Sequence, residues 1–332
     1  MTILILPALL FLIVSVLLAR HGRPAISWLV FVVGLVSWLV GVDAVIETTL
    51  RKLHQYPARV ALLSASFLAL SVAGRRCGWA AGVYSGLLLL PLLVWLAVRI
   101  ELEPFRNLAW LAWLVALVSH LEILRGIPGA RYLAAWHVGG VVLVVTLLVR
   151  ELQWIIGVTT WTNTAIVIAL VVLAISLAHG HRFLHWPLRR ERRIYLATAV
   201  TLVCSLLVWF LVVVTVTSGD PMPLAYRPLL NPYDIATLIL LVGALVVLHA
   251  GLMQWRPAFA IATIGLSAAS LCGWLLVGFA VVRGVYYGGP LRYWNEMTNT
   301  AVFVMVMLVA AAASIVSTVV IVHKVGSRQS LS

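Results

Sequence analysis

From Ile194 to Val216, and again from Ala301 to Val322, the chain runs for more than 20 residues without a single charged side chain. A helix of about 20 apolar residues spans the roughly 30 Å hydrocarbon layer of a bilayer. Nine further apolar runs are separated by short basic or Pro/Gly-containing breaks, giving predicted spans near 2–19, 25–45, 58–73, 79–98, 108–124, 132–149, 164–178, 194–216, 235–253, 258–282 and 301–322. Hydrophobic residues fill 63% of the 332 positions and charged residues only 10%. A soluble domain carries about a quarter charged residues, so no water-soluble core could hide this much apolar surface. The expected fold is all-α: a polytopic transmembrane bundle of about 11 spans, one membrane domain over 1–323 with a short tail at 324–332. The third and seventh runs are short for a full crossing, and tilt, local thinning or partial re-entrance are open for them.

The charges are sorted by side. The first, third, fifth, seventh and ninth loops, with the C-terminal tail, hold 14 Lys/Arg and two acids, Glu122 and Glu191; the other loops hold nine Lys/Arg and eight acids. Basic residues beside apolar helices mark the cytoplasmic side, which predicts the N-terminus outside and the C-terminus inside, in a bacterial inner (plasma) membrane. The net charge of +13 is therefore an orientation signal, and a nucleic-acid role is not expected. The N-terminal run has no basic region ahead of it and no small-residue cleavage site, so it is expected to remain as the first span.

Five segments start at a basic turn and rise through a span with Trp near its outer half, at starts spaced by 52 to 66 residues. This is either a repeated helical hairpin or the ordinary anchoring of spans by Arg and Trp at the two interfaces. All copies point the same way, unlike the inverted repeats of many secondary transporters.

The outer loops are longer than simple connections need, and such loops tend to carry function. In TSGDPMPLAYRPLLNPYD, residues 217–234, Asp220, Tyr226, Arg227, Asn231 and Asp234 can line a polar pocket. Asn231 and Asp234 have a second reading, as helix cap and first-turn acid flanking Pro232. The tenth loop contributes Arg283, Arg292, Trp294 and Glu296, types suited to a phosphate or sugar and equally to an interfacial belt. Secondary candidates are the acids Asp43, Glu47, Glu101 and Glu151, as acid or base groups or as surface ion pairs, and the neighbouring histidines His120 and His137.

Cys77, Cys204 and Cys272 share no metal-binding spacing, no HExxH, Walker A, GxSxG or GxGxxG is present, and neither metal nor cofactor is expected. No Asp, Glu, Lys or Arg falls in the middle third of any predicted span, which weakens ion-coupled transport.

Four segments, EPFRNLAWLAW at 103–113, AWHVGGVVLVVTLLVREL at 135–152, the basic run before IYL at 189–196 and SGDPMPLAYRPLLNPYD at 218–234, resemble the bacterial predicted membrane proteins grouped as domain of unknown function 2339. Arg227 and Tyr233 depart from the family's pattern, which has an apolar residue and Leu there. Members of that family are longer, so the resemblance implies that this chain corresponds to the C-terminal portion; it implies a membrane fold in the cell envelope and carries no catalytic residues.

The sequence thus leads to a non-enzymatic membrane protein that binds or organises an envelope lipid or lipid-linked glycan at its periplasmic face. The alternatives are an extracytoplasmic transferase using a lipid-linked donor, and a transporter. The expected partner is the lipid bilayer, with a lipid or lipid-linked glycan as ligand, and protein partners are not readable.

Overall fold

The computed structural model describes residues 5–99, 104–127, 133–216 and 231–254, and these residues form helices with short turns between them. The candidates Asp220, Tyr226, Arg227, Arg283, Arg292, Trp294, Glu296 and Glu101, and the last two predicted spans, lie outside the described residues. The chain divides into two compact units, Met1–Glu151 and Leu152–Ser332.

The first unit contains α1 (Ile5–Arg20), α2 (Pro24–Thr49), α3 (Lys52–Cys77), α4 (Ala80–Ser85), α5 (Leu89–Arg99), α6 (Ala109–Arg125) and most of α7 (Leu133–Ile156). A single 3-10 turn, Gly86–Leu88, joins α4 to α5, so that Ala80–Arg99 forms one 20-residue apolar rod. Helix α1 folds back on α2 across His21-Gly22-Arg23, with Gly22 at φ 73° and Pro24 opening α2 where its missing N–H costs nothing. Along this hairpin Ser15 and Ser27 donate to each other's backbone carbonyls, both at 2.8 Å, and both side chains are buried. In an apolar setting such small polar residues let helix backbones approach closely and hold them there.

Helix α3 ends at Gly78, whose left-handed φ of 65° turns the chain so sharply that Trp79 N–H reaches the Gly74 carbonyl at 2.8 Å. Trp79 is thereby buried, edge-on to Phe31 with ring centroids 5.3 Å apart, in a core that includes Phe67, Leu93, Trp113 and Leu143. Helix α6 packs along α3. Its C-terminal carbonyls meet Arg75, which donates to the Glu122 carbonyl at 3.5 Å, a cation at the negative end of a helix.

The second unit packs α8 (Thr159–His179), α9 (Arg192–Val216) and α10 (Pro232–Gln254) against one another. Between α8 and α9 the chain passes through a 3-10 turn at Gly180–Arg182 and a wide turn at His185–Arg189. Val167, Leu170, Val203, Phe210, Leu240 and Val247 form the interior. Tyr233 is fully buried, stacks edge-on against Phe210, and its hydroxyl accepts a 3.0 Å hydrogen bond from Asn163 Nδ2.

Among the described residues seven helices are long and apolar enough to cross a membrane. Helices α1 and α6 are shorter, at 16 and 17 residues. The two runs that read as short in the sequence are full-length helices of 26 and 21 residues. Their polar ends, such as Lys52, His54 and Arg59 on α3, are helical too. Large apolar side chains including Leu29, Ile155 and Leu238 face outward, as a bilayer requires and water would penalise.

Candidate functional site

At one end of the first unit, the last two turns of α2 and the first two turns of α3 meet the end of α5. The sequence makes this a place where charge and aromatic surface coincide: α2 closes with Asp43 and Glu47 one turn apart, α3 opens with Tyr56 and Arg59, and α5 closes with Trp95 and Arg99. The three helices enclose a cleft of about 520 Å³, within the usual range of ligand pockets. Its walls are mainly apolar, with Leu39, Val42, Leu62, Leu92 and Leu96 among the lining side chains. Trp38, Tyr56 and Trp95 add aromatic surface, and Asp43, Arg59 and Arg99 add charge.

Arg59 organises the rim. Its Nε donates to Asp43 Oδ1 at 2.6 Å and its Nη2 donates to Glu47 Oε1 at 2.7 Å. Because Asp43 and Glu47 are i and i+4 on one helix face, a single planar guanidinium can satisfy both. The Arg59 side chain is 29% exposed, against 50% and 58% for the two acids, so the cluster is half wet. Nearby, the Trp38 indole N–H donates to Ser66 Oγ at 3.0 Å, which fixes that ring beside the cleft. At the end of α5, the Arg99 guanidinium carbon lies 5.9 Å from the centroid of the Trp95 ring. That is within the range of a cation–π contact.

The remaining sequence candidates fall elsewhere. Glu151, near the end of α7, accepts a 3.0 Å hydrogen bond from the Phe105 backbone N–H and so ties α7 to the turn before α6. Asn231 accepts the Tyr233 backbone N–H at 2.9 Å through its Oδ1, and Pro232 and Asp234 occupy the first turn of α10. This is the geometry of a helix cap. His120 and His137 are both buried. His120 Nε2 donates to the Trp136 carbonyl at 3.2 Å, with Gly140 opposite the ring, and Trp136 in turn donates to the Leu87 carbonyl at 2.8 Å. Among the described residues no group of three or more His, Cys, Asp or Glu is assembled that could hold a metal.

Of the sequence candidates, then, Asp43 and Glu47 are brought together, and the partners that complete their surroundings, Arg59, Trp38 and Trp95, were not singled out. A signal for Arg59 was present: in a helical hairpin, a cation a few residues past the turn sits at the depth of acids a few residues before it.

A family model described as a predicted membrane protein (DUF2339) matches residues 1–330. No curated protein and no solved structure matches the chain.

Proposed function

Since the chain belongs to the DUF2339 family of predicted membrane proteins, we propose that it is a multi-pass protein of the bacterial inner membrane that binds an envelope lipid or lipid-linked glycan on its periplasmic side. One observation carries the reading: the cleft between α2, α3 and α5 is apolar along its walls and charged at its rim. An amphiphile needs that combination, since its chains seek apolar surface while its headgroup must keep hydrogen bonds and charge partners. The sorting of Lys and Arg among the loops supports a periplasmic position for this rim, because α2 and α5 end, and α3 begins, on the side poor in net positive charge. Asp220, Tyr226, Arg227, Arg283, Arg292, Trp294 and Glu296 belong to loops of the second unit predicted on the same side of the membrane, and are proposed as that unit's own contribution to ligand binding.

The test is to purify the full-length protein from membranes in mild detergent, extract it with organic solvent and identify what it retained. The wild-type protein is expected to carry one amphiphile in near-stoichiometric amount, and the Trp95→Ala/Arg99→Ala variant to lose it. Equal background amounts in both proteins would contradict the reading.

A second reading, an extracytoplasmic transferase on a lipid-linked donor, draws support from Asp43 and Glu47 converging on one guanidinium at the rim. It requires that Asp43→Asn abolish turnover while the amphiphile is still retained. If no turnover of any lipid-linked sugar is found in the wild-type protein, the binding role stands alone.

A further inference from the structure

The cleft presents its charges in two separate places. On the α2/α3 rim, Asp43 and Glu47 share one guanidinium, so the cluster of Asp43, Glu47 and Arg59 carries a net single negative charge. Each acid uses one oxygen on Arg59, Oδ1 and Oε1, which leaves Asp43 Oδ2 and Glu47 Oε2 as acceptors on half-exposed side chains. On the α5 wall, Arg99 touches the Trp95 ring and makes no ion pair among the described residues. The α2/α3 rim therefore presents a net negative cluster and the end of α5 presents the Arg99 guanidinium, with apolar side chains lining the cleft.

Resting on the amphiphile reading above, we infer that the occupant is a zwitterionic phospholipid whose headgroup carries a primary ammonium beside its phosphate. The phosphate faces Arg99, whose guanidinium matches phosphate oxygens in a bidentate manner. The ammonium faces the spare carboxylate oxygens of Asp43 and Glu47, to which it donates N–H bonds. An anionic headgroup of glycerol type gains Arg99 but sets uncharged hydroxyls against the acids. A trimethylated headgroup keeps its charge but has no N–H to donate to the two acids.

The test uses the full-length protein in detergent and native mass spectrometry, titrating three lipids of identical chains: phosphatidylethanolamine, phosphatidylcholine and phosphatidylglycerol. Phosphatidylethanolamine should bind about three- to fivefold more tightly than either of the others, the size expected of half-exposed charge pairs. Arg99→Gln, which leaves the Arg59 cluster intact, should weaken all three. Glu47→Gln, alone and with Asp43→Asn, should reduce the preference for phosphatidylethanolamine over phosphatidylcholine while phosphatidylglycerol binding is unchanged or stronger. Equal affinities, tighter binding of phosphatidylglycerol, or an unaltered preference in Glu47→Gln would overturn the headgroup assignment and leave the amphiphile reading standing. Binding of all three lipids at background level, unaffected by Arg99→Gln, would overturn the headgroup assignment, and if the organic extract of the wild-type protein likewise holds no retained amphiphile, the amphiphile reading falls with it.

Discussion

Arg59 reaches from the second turn of α3 back to Asp43 on α2, Nε to Oδ1 at 2.6 Å, and this contact closes the rim of the cleft across a helical hairpin. The geometry depends on the fork of the guanidinium, because Nη2 is engaged with Glu47 at the same time. A lysine has one point charge where two directed donors are needed.

Arg59→Lys should therefore behave much like Arg59→Ala. Each is expected to destabilise the first unit by about 1 kcal/mol or less, as half-exposed ion pairs do, yet to disorder the acids that line the rim. Denaturant titration in detergent measures the first effect, and amphiphile retention the second. A full rescue of retention by lysine would show that charge alone is sufficient.

Two glycines in close contacts should respond to very different degrees. A methyl group on Gly74 would press on backbone atoms of Val83, Gly82 and Trp79, which, unlike the end of a flexible side chain, cannot swing aside. Gly74→Ala is expected to cost at the upper end of the roughly 1–3 kcal/mol typical of overpacking. On Gly126 the methyl would meet the guanidinium end of Arg75, a flexible group that can swing away. Gly126→Ala should cost well under half as much, and thermal unfolding of the two variants side by side checks the contrast.

The reciprocal bonds of Ser15 and Ser27 predict non-additivity. Removing one hydroxyl leaves the other's interhelical partner set incomplete, whereas removing both leaves two small apolar residues in contact. Each alanine variant should cost up to about 1.7 kcal/mol, the upper end for interhelical hydrogen bonds in membranes, and the double variant clearly less than the sum. A double-mutant cycle in detergent provides the numbers.

Asn231 is predicted to act on stability through its cap. Asn231→Ala should destabilise the start of α10 by about 1 kcal/mol, while Asn231→Asp, which keeps an oxygen acceptor for Tyr233 N–H, should be near neutral. Hydrogen exchange at Tyr233 and Asp234 is the local readout.

These cases also show what was legible in the sequence. The apolar runs located the helices well: the predicted 25–45 and 108–124 correspond to Pro24–Thr49 and Ala109–Arg125. They fell short where polar residues continue a helix beyond its apolar stretch, as on α3, because hydropathy marks burial in lipid and not helicity. The Asn-Pro-Tyr-Asp cap could be read directly, since capping is local and its residues adjoin in sequence. The cleft could not, because it depends on the register of three helices. Arg59 and Asp43 are 16 residues apart, and nothing in composition fixes which faces of α2, α3 and α5 meet. Tyr233, a departure from the family pattern, likewise meets partners distant in sequence, among them Phe210 and Asn163, the latter 70 residues away.

The account's central claim is that the cleft between α2, α3 and α5 holds an amphiphile, and an experimental density map of the full-length protein in native-lipid nanodiscs tests it most directly. The account predicts an elongated density along Leu62 and Leu92, with its head between Arg99 and the Asp43–Glu47 pair. A cleft occupied only by water, or closed by its own side chains with Arg99 turned away, would contradict it.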